Sequence, residues 1–399
     1  MTKLYCDYSN FRKFTAPRLF QVMPRGMYFG RSRATSIDLC VRDLMLASRN
    51  QHDALIYAEE IEDPFPDFMI NTLPAKGKAS SYKRANFVAA QAKRLKPDII
   101  VVQQHLPTAA AIALCVPNIK VVLHTHNFQK SYATASGFSG WLKRSAKKLR
   151  YGRLAGIIHV SRACEEAFTR DWPELSMPSC VVNNGLDFSS WEPARERRTE
   201  IVYAGRCAPE KGVLELAQAV RSLLPLHPEW RSRFILSAAD THPDYFDKVR
   251  DCLAGLGESV IIQLQQPFEV VKTAFENAAI AVVPSICSES FGRTALEAHA
   301  GGAALISSGN GGLAEVSGPE AIRLARVVAD EISSAIQMLI KDEEQRKRLA
   351  FAGAMRVRER FNIYQQAEVF SQFCMMLSGD GRRPDGLEYG AVEPHRSAA

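Results

Sequence analysis

The sequence has no Cys-x-x-Cys pair, no Asp-x-Asp pair and no apolar run long enough to span a bilayer. The first absence removes the common zinc and redox frameworks. The nine cysteines (Cys6, Cys40, Cys115, Cys164, Cys180, Cys207, Cys252, Cys287 and Cys374) are odd in number and scattered, which reads as idle thiols in a reducing compartment. The lack of a long apolar run excludes a membrane-spanning helix. The opening MTKLYCDYSNFRKF is polar and lacks a signal-peptide core, so a cytoplasmic protein is expected. No recognition motif for nucleic acid occurs, and no nucleic-acid partner is expected. Short tandem repeats are absent as well.

What is present is the composition of a globular chain, with 46% hydrophobic and 23% charged residues. A length of 399 residues exceeds one ordinary core and favours two domains. The net charge of +7 suits a polyanionic ligand such as a nucleotide diphosphate, and equally an anionic lipid surface.

Short β-branched runs alternate with helical stretches, the pattern of an α/β protein with parallel sheets. In the first half the strands are read at 98–102, 120–123, 156–160 and 179–182, with helices at about 37–49, 82–95, 140–153 and 162–170. The Pro- and charge-rich stretch from Trp191 to Arg198 reads as a linker. A second set of strands follows at 200–204, 234–237, 259–263, 279–283 and 303–307. The region from about Asp330 to Leu377 has amphipathic spacing, and a break near Phe361-Asn362 implies two helices. This divides the chain into a domain over 1–190, a domain over 199–362, a helix over about 363–378 that returns to the first domain, and a disordered tail over 379–399.

Two segments carry chemistry. In Val283-Pro284-Ser285-Ile286-Cys287-Ser288-Glu289-Ser290-Phe291-Gly292-Arg293-Thr294-Ala295-Leu296-Glu297 a strand runs into a loop and then a helix begins near Arg293. The free amides at that helix start form an anion site, and Gly292 permits close approach of a phosphate or sugar. Glu289 and Glu297 bracket the start, one in the loop and one on the first turn. In Ile201-Val202-Tyr203-Ala204-Gly205-Arg206-Cys207-Ala208-Pro209-Glu210-Lys211-Gly212 a strand delivers Arg206 and Lys211 to the carboxyl end of a parallel sheet, where open α/β sheets bind ligands. Two cations there replace a metal by neutralising a leaving diphosphate. Taken singly, each charged residue is also compatible with a solvated loop.

These segments resemble glycosyltransferase family four, the retaining enzymes of the GT-B fold. The family's E-x7-E motif matches Glu289 and Glu297, and its G-R-x-x-x-E-K-G motif matches Gly205 to Gly212. Asn183-Asn184-Gly185-Leu186-Asp187 and Asn310-Gly311-Gly312-Leu313-Ala314-Glu315 are further family-like elements. The likeness is close from about 180 to 320 and only general in the N-terminal half. It implies two Rossmann-like domains facing across a cleft, the first binding acceptor and the second binding nucleotide-sugar. By the same likeness Arg206 and Lys211 grip the donor diphosphate, Glu289 takes the transferred sugar and Glu297 the ribose. Gly205, Phe291, Gly292, Arg293, Thr294, Gly311 and Gly312 complete the donor site. No metal and no other cofactor is expected, in keeping with the missing Asp-x-Asp.

In the N-terminal half, Gly30 and Arg31 stand where the family has a Gly-Gly loop, on the acceptor side with Lys130. The family's active-site histidine matches His126 rather than His124, on the order Thr-His-x-Phe. Leu236-Ser237-Ala238-Ala239-Asp240 stands where relatives carry Gly-x-Gly. Gly309-Asn310-Gly311-Gly312-Leu313-Ala314 fits a dinucleotide pattern but follows the fifth strand of its domain, so no NAD is expected. The basic stretch 140–153, with Lys143, Arg144, Lys147, Lys148, Arg150 and Arg153, suits an anionic membrane or a solvated face.

The resulting expectation is a retaining hexosyltransferase acting on a glycan or lipid-linked glycan. It places the protein in lipopolysaccharide or exopolysaccharide synthesis at the inner face of the cytoplasmic membrane. A sugar-nucleotide epimerase and a non-catalytic scaffold of the same fold are the alternatives.

Overall fold

The computed structural model describes residues 18–31, 34–74, 81–129 and 137–379. Two compact units divide the chain, one of 1–185 with 363–399 and one of 186–362.

The first unit begins β1 (Leu19–Val22), α1 (Ser36–Ala47), β2 (Ala54–Ala58), β3 (Met69–Thr72) and α2 (Ser81–Leu95). It continues β4 (Ile99–Gln103), α3 (Leu106–Cys115), β5 (Lys120–Thr125), α4 (Gly137–Tyr151), β6 (Gly156–His159), α5 (Arg162–Asp171) and β7 (Ser179–Val181). The second unit runs β8 (Arg198–Arg206), α6 (Val213–Leu223), β9 (Arg231–Ser237), α7 (Pro243–Leu253), β10 (Val260–Leu264), α8 (Phe268–Asn277) and β11 (Ala278–Val283). Next come α9 (Arg293–Ala300), β12 (Ala304–Ser307), α10 (Leu313–Ser317), β13 (Ile322–Arg323), α11 (Ala329–Lys341) and α12 (Glu343–Arg360). The last helix, α13 (Ile363–Ser378), belongs to the first unit.

Both sheets are parallel throughout, with orders β3-β2-β1-β4-β5-β6-β7 and β10-β9-β8-β11-β12-β13. Central strands such as β4 (IIVVQ) and β11 (AAIAVV) are buried along their whole length, because helices cover both faces of a parallel sheet. In the first unit one face packs on α2 and α3 residues such as Val88 and Ile112. The other packs on Val41 and Leu44 of α1 and on Phe370 and Phe373 of α13. Gln366 of α13 also accepts from the Asn183 amide at 2.9 Å, and Arg49 pairs with Glu368 at 2.8 Å.

The structure adds elements to the sequence reading. Four strands were expected in the first unit, and its described residues form seven. β1 is four residues long and Gln21 interrupts its apolar run, while β3 (MINT) is a partly exposed edge strand with no pattern to find. Helix α3 (LPTAAAIALC) is apolar on nearly every side and so shows no amphipathic period. The C-terminal region holds three helices rather than two. A second break falls at Asp342, whose side chain caps α12 by accepting from the Gln345 amide at 2.8 Å. The tail from residue 380 and the Lys130 position lie outside the described residues.

Candidate functional site

In the second unit the carboxyl ends of β8, β11 and β12 come side by side because those strands are neighbours in the sheet. Strand β8 ends at Arg206, and a short turn over Pro209–Lys211 leads to Gly212 at the start of α6. Gly212 has φ +68°, and a Cβ there would lie 2.1 Å from the Pro284 carbonyl oxygen, so the loops after β8 and β11 touch where only glycine fits. The Glu210 carbonyl seals the same contact by accepting from the amides of Ile286 (2.9 Å) and Cys287 (3.2 Å).

This closeness brings together two residues 78 positions apart. The Lys211 ammonium donates to Glu289 Oε1, and the Ser285 hydroxyl donates to the same oxygen. Both charged side chains are about four-fifths buried, at 18% and 19% exposure. The loop after β12 braces the acid from the other side. Gly312 N donates to the Glu289 carbonyl (2.7 Å), Glu289 N donates to the Asn310 carbonyl (3.1 Å), and Asn310 Nδ2 donates to the Ser285 carbonyl (2.9 Å). A Cβ on Gly311 would fall 2.6 Å from Glu289 O, and one on Gly312 would fall 2.3 Å from Ser290 O. Both glycines are therefore required by the packing of one loop on another.

Arg206 is held differently. It pairs with Glu210 at 2.8 Å, and the pair is exposed at 52% and 39%. The Glu210 carboxyl is held below its ordinary value first by its own backbone amide and then by Arg206. Tyr203 donates its hydroxyl to the Arg206 carbonyl (3.0 Å), and burial pushes that phenol up. A Cβ on Gly205 would approach the Tyr203 hydroxyl to 2.8 Å.

Helix α9 starts at Arg293 with Gly292 (φ +111°) as its N-cap, a residue that has no side chain to cap with. Phe291 is buried beside Phe361, ring centroids 5.5 Å apart, and Thr294 is half-buried. Glu297 stands in the second turn rather than the first and is buried at 7% exposure. Its carboxylate accepts from Arg293 Nε at 2.8 Å, the i,i+4 pair that helical geometry dictates. Arg293 and Glu297 are thus one unit, where the sequence reading gave them separate duties.

In the first unit His126 follows β5 and is buried, with Nε2 2.7 Å from Gln103 Oε1. Burial pushes its ring down to about 3. His124 is also buried, its ring centroid 4.4 Å from that of His126, and neither of its ring nitrogens has a partner. Gly30 pairs with Pro64 in an isolated bridge, and a Cβ there would lie 2.7 Å from the Asp63 carbonyl oxygen. The bare face of Gly30 is thus used against the 61–64 loop, while the exposed Arg31 donates its amide to Asp63 O at 3.0 Å.

The expected basic helix is α4, at 137–151. Arg144 is tied to Glu174 (2.9 Å) and lies 4.7 Å over the Trp172 ring, whereas Lys148, Leu149 and Arg150 are exposed. The side chains of residues 137–143 lie outside the description.

Sequence reasoning gave no role to Ser285 or to the Gln103-Gln104 pair. Ser285 sits in the quoted motif, but nothing in the sequence says that its hydroxyl reaches Glu289. Among the described residues no group of three or more His, Cys, Asp or Glu side chains is arranged to hold a metal.

The family model described as glycosyl transferases group 1 matches residues 188–355, and the model described as glycosyltransferase family 4 matches residues 40–190. A glycogen synthase from Mycobacterium tuberculosis is 26% identical over 308 residues, covering 72% of this chain and 71% of that one. A lipopolysaccharide 1,2-N-acetylglucosaminetransferase from Salmonella typhimurium is 27% identical over 259 residues, covering 62% and 65%. Among solved structures, Anabaena HepE in complex with UDP and glucose matches with a TM-score of 0.71 at 15% identity, over 90% of this chain and all of that one, a likeness of fold.

Proposed function

The chain belongs to the family 4 glycosyltransferases of the GT-B fold, and on that premise we propose that it moves a hexose from a nucleotide-sugar to a glycan or lipid-linked glycan with retention of configuration. The observation that carries this reading is the meeting of Lys211 and Glu289 with Ser285 at the carboxyl ends of β8 and β11. A cation beside an acid suits a donor whose diphosphate and sugar lie next to each other.

The diphosphate goes to Arg206 and Lys211. Arg206 is free to turn toward it, because an exposed ion pair such as Arg206–Glu210 is worth only about 0–1 kcal/mol and a diphosphate offers more charge. Lys211 is held in place by Glu289 and needs little movement. The amides at the start of α9, after Gly292, add fixed positive charge, and with two cations present the leaving group needs no metal. Glu289 serves the transferred sugar and the Arg293–Glu297 pair serves the ribose, with Glu297 accepting from its hydroxyls. His126 of the first unit serves the sugar as a neutral hydrogen-bonding group. The acceptor hydroxyl attacks on the face the diphosphate leaves, and a diphosphate oxygen takes the proton.

The Salmonella relative, by its description a lipopolysaccharide transferase, supports a cell-envelope acceptor for this chain. The relatives named above give no support to an epimerase. No described helix is long and apolar enough to cross a membrane, and helix α4, with Lys148 and Arg150 exposed, is the proposed contact with an anionic inner leaflet.

Turnover of UDP-, GDP- and ADP-hexoses, with the anomeric configuration of the product read by NMR, tests the whole reading. Arg206→Ala and Lys211→Ala should each lower turnover at least about a hundredfold while circular dichroism stays unchanged. A chelator should leave the rate unaltered. Near-normal turnover in either variant, or a strict need for a metal, sinks the clamp. Absence of turnover with every donor returns the chain to a scaffold.

A further inference from the structure

The end of β4 holds His126 twice. Gln104 Oε1 accepts from the amides of His126 (2.7 Å) and Asn127 (2.8 Å). To do so Gln104 adopts φ +58°, a backbone conformation that a non-glycine residue holds only where the surroundings enforce it. Here they do: Gln104 N donates to the His124 carbonyl (2.7 Å), and Gln129 Nε2 donates to the Gln104 carbonyl (3.2 Å). The second hold is on the ring, where Gln103 Oε1 lies 2.7 Å from Nε2.

The direction of that ring contact is set deeper in the sheet. Met45 Sδ of α1, which has no hydrogen to give, lies 2.9 Å from Gln21 Nε2 on β1. Gln21 must turn its NH2 toward the sulfur and its oxygen toward Gln103, whose Nε2 donates to that oxygen at 2.6 Å. Gln103 then has only its own oxygen to offer the histidine. The ring must carry its hydrogen on Nε2, and Nδ1 is the bare acceptor. Gln21 and Gln103 are each 1% exposed and His126 is 6% exposed, so water does not compete for these bonds. His124 stacks on the ring without taking a hydrogen bond from Gln103.

We propose that Gln103 and Gln104 are positioning residues for His126: Gln104 fixes its main chain, and Gln103, directed by Gln21 and Met45, fixes its proton on Nε2 so that Nδ1 accepts from a hydroxyl of the bound sugar. The second half rests on the reading of His126 given above. Because burial keeps the ring neutral, its tautomer is the variable that matters.

Nitrogen NMR of the whole chain labelled in histidine, with the His126 signals assigned from His126→Ala, reads the tautomer without substrate. The expected result is a protonated Nε2 and a bare Nδ1 from pH 5 to 8; a protonated Nδ1 overturns the proposal. Gln103→Leu should give mixed tautomers and lower kcat about tenfold, with donor KM within about twofold of the parent. Gln103→Glu keeps an accepting oxygen at Nε2 but loses the amide that donates to Gln21, and should retain the Nε2–H signal that the leucine variant loses. If the leucine variant does not fold, Gln21→Leu removes the same directing bond and should shift the same signals. Unchanged nitrogen signals in the folded leucine variants, or changed signals with unchanged kcat, overturn the positioning role. Full activity in His126→Ala removes the assignment of His126 itself and leaves the tautomer measurement to stand separately.

Discussion

A single methyl group on Gly312 probes how the donor site is built. The backbone there has φ −63° and ψ −17°, which alanine adopts freely, so conformational freedom gives no reason for glycine. At the start of α10 the exchange to alanine would, on chain entropy alone, stabilise by up to about 1 kcal/mol. The packing reverses that sign. The new Cβ would lie 2.3 Å from Ser290 O and 2.7 Å from Ser290 C. Ordinary contact begins near 3.5 Å, so the loop after β11 must retreat by about 1 Å. Phe291, packed on Phe361, leaves it little room. Overpacking of this kind costs about 1–3 kcal/mol, or roughly 2–12 °C in the melting of a unit of this size. Glu289 is adjacent, and a displacement of about 1 Å at a reacting group lowers kcat by about a hundredfold. Thermal unfolding and donor turnover of Gly312→Ala measure the two effects. Gly255→Ala is the control, since that glycine has φ +86° with nothing within 4 Å of its would-be Cβ. It should lose about 1–2 kcal/mol to backbone strain with kcat unchanged. A Gly312→Ala protein that melts higher and keeps its turnover would refute the loop contact as described.

The two acids should separate in steady-state kinetics. Glu289→Ala should mainly lower kcat and Glu297→Ala mainly raise donor KM, with Glu289→Gln isolating the charge; the reverse pattern reverses the assignment. Burial pushes His126, His159 and His299 down to about 3, about 4 and about 4. The unfolded chain protonates them below about pH 6.5 while the folded chain does not, so their contribution is complete above that pH and is lost as it falls toward 4. The loss is about 1.4 kcal/mol per pH unit for each histidine. Urea unfolding across that window should show the slope, and His299→Asn should remove one proton from it. For the membrane, Lys148→Gln with Arg150→Gln should weaken binding to anionic vesicles by roughly 1 kcal/mol per residue, and equal binding to zwitterionic vesicles would count against it.

The α/β class and the chemistry-bearing loops were legible because their signals are local. A buried run such as AAIAVV ends at Pro284, and Gly292 precedes a helix start. The Gly205–Gly212 motif reads the same way at the end of β8. The Arg293–Glu297 pair was also within reach, since four-residue spacing on a helix sets it, yet the two were read apart. What stayed hidden depends on how distant segments lie on one another. Gly312 looks like a phosphate-loop glycine until the Ser290 carbonyl is seen against it. Gln103 and Gln104 look like the polar end of a strand until β1, β5 and α1 supply Gln21, His126 and Met45. Strands β1 and β3 escaped notice because a lone glutamine and an exposed edge erase their periodicity.

The return of α13 to the first unit has a consequence for biosynthesis. Ile363, Ala367, Phe370, Phe373 and Cys374 are fully packed against one face of the first sheet, yet they are among the last described residues to be made. On the ribosome the part of that face that α13 covers stays bare while the whole of the 186–362 unit is translated, with only α1 already in place on it. The downstream unit can thus fold before the upstream one is finished, an inversion of the usual order in which domains mature. A nonsense codon at Asn362 would leave every donor-site residue of the 186–362 unit in the chain and remove α13 from the face of the first sheet that it shares with α1.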